Sequence, residues 1–224
     1  DGIIDLAFDQ YGRNLTVAKL RGSDFAGRSH AMKLDSRGMA VFPILAPHEH
    51  HVTFVHATMG SGLPELDRLL GGGIERGTIT FLSGPTGVGK TSLGLQFIKE
   101  AAARNERSVL FTLEEDREMI LARSDQIQIG ARAMLEKGML TIEKIEPLQF
   151  TPDEFAQRVR LEVEERNTRL VMIDSVSGYR LSMRGQDLVS QLHALTKYLQ
   201  NMGVAVLLTV ETAQLTGDFR VTDY

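Results

Sequence analysis

The spacing of apolar residues changes partway along the chain, and the change divides it. Up to about residue 42 they fall in short β-prone runs, Ile3-Ile4-Asp5-Leu6-Ala7-Phe8 and Leu15-Thr16-Val17-Ala18-Lys19-Leu20, with Gln10-Tyr11-Gly12-Arg13-Asn14 between them. This pattern predicts a hairpin. Two further short strands are expected from Ala31 to Leu34 and from Met39 to Phe42, either side of the turn Asp35-Ser36-Arg37-Gly38. Pro43, Pro47 and His48-Glu49-His50-His51 then read as a linker.

From about Gly60 strands alternate with helices. Leu63, Leu66, Leu69 and Leu70 form an apolar helical face that stops at Gly71-Gly72-Gly73. A buried strand is expected from Thr78 to Ser83, then a Gly-rich turn and a helix with Leu93, Phe97 and Ile98 on one side. Strands follow at Ser108 to Leu113, Met139 to Ile142, Leu170 to Ile173 and Val204 to Val210. Between them lie helices over roughly 117–137, broken near Gly130, a helix after Thr151-Pro152-Asp153-Glu154 marked by Phe155, Val159 and Val163, and one lined by Leu188, Leu192, Leu195 and Leu199. The alternation predicts an α/β fold: a mostly parallel sheet flanked by helices, preceded by an N-terminal β-hairpin segment. The expected division is 1–47, 48–59 as linker, and 60–224 as the main domain.

Composition narrows the function classes. With 42% hydrophobic and 24% charged residues the 224-residue chain can build a sizeable core. A net charge of -4 supplies no global basic field for nucleic acid or an acidic membrane. The absence of Cys removes disulfides and thiolate metal sites and fits a reducing cytoplasm. No apolar run has membrane-spanning length. His48, His50, His51 and His56 share no helical or strand register and are expected to be solvated.

The chemistry centres on Gly84-Pro85-Thr86-Gly87-Val88-Gly89-Lys90-Thr91, a complete GxxxxGK(S/T) pattern between an expected strand and an expected helix. Glycines let the backbone wrap so that its N–H groups point at phosphate oxygens, and the helix N-terminus adds partial positive charge there. Lys90 then serves the β- and γ-phosphates and the Thr91 hydroxyl a Mg2+ ion. Leu170-Val171-Met172-Ile173-Asp174 places an acid where a buried strand emerges, so Asp174 is the second metal-side residue, acting through the water shell of Mg2+. Glu114 and Glu115 follow the strand ending at Leu113 on the same sheet edge and are candidates for orienting the nucleophile, with the alternative that they only open a helix. Thr209 and Glu211 end the last strand and could sense the γ-phosphate, with the alternative that Glu211 is a simple loop acid. Ser175 and Ser177 read as polar residues closing a strand.

Ser61-Gly62-Leu63-Pro64-Glu65-Leu66-Asp67-Arg68-Leu69-Leu70-Gly71-Gly72-Gly73, the Gly84–Thr91 loop, the paired glutamates and Ile173-Asp174-Ser175 together resemble the KaiC group of RecA-like ATPases, in particular its two-domain bacterial members. The resemblance implies a RecA-like P-loop core that binds ATP with Mg2+, hydrolyses it and works as a homo-oligomer, a hexameric ring, in the cytoplasm. It implies phosphate and Mg2+ contacts from Gly87, Val88, Gly89, Lys90, Thr91 and Ser92, a catalytic pair in Glu114 and Glu115, and an approach to adenosine at Arg123-Ser124. Asp1-Gly2-Ile3-Ile4 and Val17-Ala18-Lys19-Leu20-Arg21-Gly22-Ser23 resemble the closing hairpin of a domain of this kind. Residues 1–47 would thus be the tail of a preceding domain. Lys19 and Arg21 match the Lys-x-Arg that reaches a neighbour's ATP, where a cation in trans is worth about 10³ to 10⁵ in rate. On this reading they serve the preceding domain's nucleotide, and the last domain stops short of its own hairpin. Clock-type members also phosphorylate themselves on Ser or Thr; the matching segment would begin around Thr222 and run on past Tyr224.

Two other readings stay open at this stage. One is a RecA- or RadA-like recombinase, although Ser182-Met183-Arg184-Gly185 lacks the aromatic that stacking on bases favours. The other is a nucleotide-gated scaffold that assembles, with a signalling protein as partner, and does not turn over.

Overall fold

Leu170-Val171-Met172-Ile173 lies at the centre of the protein because side chains on both faces of the strand find cover. The computed structural model describes residues 1–22, 24–185 and 187–212. Leu170 and Met172 enter one apolar cluster, and Val171 and Ile173 enter another on the opposite face of the sheet. A strand apolar at every position needs helices on both sides, and the chain supplies them.

The antiparallel sheet β1 (Gly2–Asp9), β2 (Gly12–Leu20), β3 (Ser29–Asp35) and β4 (Gly38–Phe42) comes first, ordered as in sequence. The two-residue strands β5 (Thr58–Met59) and β6 (Ile74–Glu75) pair around α1 (Pro64–Leu69). Next come β7 (Ile79–Gly84), α2 (Lys90–Ala103), β8 (Arg107–Thr112), α3 (Arg117–Gln126), α4 (Ala131–Glu136) and β9 (Leu140–Lys144). The remaining elements are α5 (Pro152–Glu164), β10 (Thr168–Asp174), α6 (Val176–Ser182), α7 (Leu188–Asn201) and β11 (Ala205–Glu211). The main sheet runs β7-β11-β10-β8-β9, with every pair parallel. Residues of α2, α3 and α4 build the cluster on one face, and those of α5, α6 and α7 the cluster on the other. This is the α/β arrangement of a RecA-like P-loop core, with a hairpin sheet in front.

The front sheet docks on α5. Lys33 Nζ donates to Glu154 Oε1 at 2.8 Å, and Ala31 and Met32 are buried. Glu154 also accepts from the Thr151 backbone N–H, and the Thr151 hydroxyl accepts from Glu154 N–H. This capping box starts α5 at Pro152, one turn earlier than the apolar spacing alone suggests.

Three expectations are corrected. Leu63, Leu69 and Leu70 are 43%, 84% and 40% exposed, and only Leu66 packs on the core. A helix of six residues has too little length to bury a whole face. The strand at 79–84 is half-exposed, with Phe81 53% open, because β7 pairs on one side only among the described residues. His50 is not solvated: it meets the Tyr198 ring edge-on and lies 3.4 Å from the Glu164 carboxylate. Its segment lies on the core, with Val52 N–H donating to Asn201 O.

Candidate nucleotide site

Parallel pairing brings the carboxyl ends of β7, β8, β10 and β11 to one edge of the sheet. The register sets Asp174 beside Thr112 and Glu211 beside Gly84. Open α/β sheets collect ligands at such an edge.

The loop Gly84–Thr91 leaves β7 here and turns into α2. Gly89, at φ 103, is the residue before the first helical turn, a conformation that side-chain-bearing residues avoid. Lys90 Nζ donates to the loop's own carbonyls, Gly84 O at 2.9 Å and Pro85 O at 3.0 Å. The ammonium is thus held over the loop by neutral acceptors, a contact that stronger anionic oxygens can replace. Thr86 Oγ1 donates to Glu211 Oε1 at 2.6 Å, closing the loop against the end of β11. Val88 is exposed at the loop tip. Ser92 is half-buried in the first turn of α2, with no side-chain hydrogen bond among the described residues.

Asp174 joins three elements. Its Oδ2 accepts from the Thr91 hydroxyl at 2.7 Å and its Oδ1 from the Thr209 hydroxyl. Thr91 is 9% exposed and Thr209 is fully buried, so little water competes for these oxygens. A carboxylate and a hydroxyl in contact at a helix head form a hard-oxygen donor set of the kind Mg2+ accepts. The chemistry of the residues therefore fits the ion.

The two glutamates after β8 part company. Glu115 Oε1 accepts from Arg123 at 2.9 Å, while its Oε2 is buried without a partner among the described residues. Glu114 Oε1 accepts from the Ser175 hydroxyl. Lys144 Nζ reaches Asp116 Oδ1 at 2.8 Å and Glu114 O at 3.3 Å, tying this turn to the end of β9.

The structure thus gathers Gly84, Thr86, Gly87, Val88, Gly89, Lys90, Thr91, Asp174, Glu114 and Glu115 at one edge, with Arg123 bound to Glu115. Ser124 is fully buried, and its hydroxyl accepts from the N–H of Ala131, the first residue of α4. Lys19 and Arg21 lie apart, exposed at the end of β2; Arg21 sits 3.7 Å from Asp1 and bonds to nothing in the loop. Thr222 lies outside the described residues. Along the sequence Ser175 reads as a strand-closing residue and Gly178 belongs to no motif. Their signal was a Ser three positions before a Gly directly after the acid, the spacing of a helix cap.

Comparison with known proteins bears on the family. A family model described as "ATPase: KaiC" matches residues 59–224. The chain is 26% identical over 211 residues to the circadian clock oscillator protein KaiC of Picosynechococcus sp., covering 94% of this chain and 41% of that protein. It is likewise 26% identical to KaiC 1 of Synechocystis sp. and to KaiC of Synechococcus elongatus, covering 94% of this chain and 40% of each relative. The chain therefore spans about two fifths of the length of these relatives.

Proposed function

The chain belongs to the KaiC family of ATPases, and from that premise we propose that it binds ATP with Mg2+ at the Gly84–Thr91 loop and hydrolyses it. The observation that carries the proposal is the Thr91–Asp174–Thr209 chain of oxygens beside Lys90, at the head of α2. Lys90 exchanges its two loop carbonyls for β- and γ-phosphate oxygens, and the loop's N–H groups hold the rest of the triphosphate. Thr91 and Asp174 would hold the ion, which when bound would supply positive charge against that developing on the phosphates. Glu114 aligns the attacking water, and Arg123 keeps Glu115 out of that role by pairing with it.

The proposal extends to assembly. Copies of the chain form a ring, with six members as the expected number, in the cytoplasm. Lys19 and Arg21, exposed on the front sheet with Arg21 3.7 Å from Asp1, would serve the nucleotide of a preceding domain in a neighbouring copy and not the one held by Lys90. No helix among the described residues is long and apolar enough to cross a membrane.

The test is turnover of ATP labelled on the γ-phosphate, with and without Mg2+, in the parent and in Lys90→Ala. Release of labelled phosphate by the parent alone supports hydrolysis, and label retained on the protein assigns autokinase activity. If neither occurs while nucleotide binds, the scaffold reading replaces this one. Mass measurement with and without a non-hydrolysable analogue reads the ring.

A further inference from the structure

Two adjacent glutamates follow β8, yet the fold seats them in different places. Glu115 turns to α3 and is anchored by Arg123. Glu114 turns to the first turn of α6. There the Ser175 oxygen accepts from Gly178 N–H at 3.0 Å as the helix cap, and the Ser175 hydroxyl donates to Glu114 Oε1. A serine hydroxyl has one proton; with its oxygen occupied by the cap, that proton is directed at the carboxylate. Ser175 is 2% exposed, so its hydroxyl is shielded from water, while the Glu114 side faces solvent.

Gly178 completes the seat by having no side chain. A Cβ there would lie 3.1 Å from Glu114 Oε1 and 2.9 Å from Leu113 Cβ. Leu113 has no room to withdraw, being 4% exposed and bound through its N–H to Asp174 O at 2.8 Å. The approach of α6 to the end of β8 is therefore close enough to define where the Glu114 carboxylate rests.

We propose that Ser175 and Gly178 are positioning residues, which hold Glu114 in the orientation from which it aligns the attacking water. The inference rests on the hydrolytic reading above. The Ser175 proton occupies Oε1 and leaves Oε2 as the oxygen that accepts from water. The link is also mechanical: Ser175 follows Asp174 directly, so a shift of the metal-side carboxylate is passed to Glu114 through one residue.

Ser175→Asp separates the two roles of the serine, because Asp caps a helix as well as Ser does but has no proton to donate and repels Glu114. Ser175→Asp, Ser175→Ala and Gly178→Ala are each expected to keep ATP affinity and KM within about twofold while kcat falls about 10- to 100-fold, the scale of a misplaced catalytic group. Ser175→Ala only removes atoms and carries the test if Ser175→Asp does not fold. Parent-like kcat in either folded Ser175 variant reduces Ser175 to a cap and overturns the proposal. Should the parent itself not hydrolyse ATP, the hydrolytic reading fails on its own terms. The seat is then read from the Glu114 side-chain carboxyl carbon resonance in the labelled, nucleotide-free chain. Displacement in Ser175→Ala supports the seat; an unmoved resonance overturns it.

Discussion

The Thr91 hydroxyl donates to Asp174 Oδ2 at 2.7 Å, joining the first turn of α2 to the end of β10 across 83 positions of sequence. Asp174 meets Thr209 on its other oxygen, so one carboxylate gathers three elements of the sheet edge. Asp174→Asn keeps the shape and removes the charge. Turnover is expected to fall about 10- to 100-fold, with a matching rise in the Mg2+ needed for half-maximal rate. A magnesium titration of ATPase activity checks this, and stripping divalent ions should silence the parent. An Asn variant with the parent's Mg2+ dependence would remove Asp174 from the metal side.

Phe54 should prove a strong anchor for the extended stretch before β5. A Cβ on Gly203 would lie 2.4 Å from Phe54 Cγ, and Gly203 has φ 68. Gly203→Ala therefore meets both a clash and a disfavoured backbone, for an expected loss of about 2–3 kcal/mol. Urea unfolding should show a lower midpoint at unchanged slope. No change in midpoint would mean that Phe54 moves aside freely.

Asp153 is expected to destabilise the protein near neutral pH. Burial raises its pKa from 3.8 to about 6, against a smaller opposite pull from His30, and its Oδ1 has no partner among the described residues. Between pH 4 and 6 the folded state binds more protons at this group than the unfolded chain, so its contribution to stability falls as pH rises through that window. Favourable placement in the first turn of α5 offsets part of the cost. Asp153→Asn should gain about 1–2 kcal/mol at pH 7 and nothing at pH 3.5. Equal gains at both pH values would refute the assignment.

The front sheet is held to the core partly by Lys33 and Glu154, whose atoms meet at 2.8 Å. Glu154 is buried and also serves the α5 cap, so Glu154→Ala should cost about 1–2 kcal/mol. Lys33 is 43% exposed on its side chain, which screens the pair. A double-mutant cycle should accordingly give a coupling of only about 0.5–1 kcal/mol, weaker in high salt. A coupling of zero would assign the docking to apolar contacts such as Ala31 and Met32.

Legibility in the sequence followed the range of the interaction. The P-loop, the alternation of strands and helices, and acids at strand ends could be read directly, because each depends on residues within one or two turns of chain. Apolar spacing alone places the start of α5 a turn late, because it marks the buried face and not the cap. The exposure of Leu63, Leu69 and Phe81 was not legible: periodicity says which residues could be covered, and cover comes from distant elements.

By itself the sequence determined that a phosphate-gripping loop stands between a strand and a helix in an α/β chain, with two glutamates and an aspartate following strands. Tertiary structure alone decided which of those carboxylates meets which partner. Glu114 finds Ser175 61 positions away, and Glu115 finds Arg123 on the next helix. Neighbouring acids look equivalent along a chain; they become different when β8, β10 and α6 close on one another, since contact distance, not order, sets a hydrogen bond.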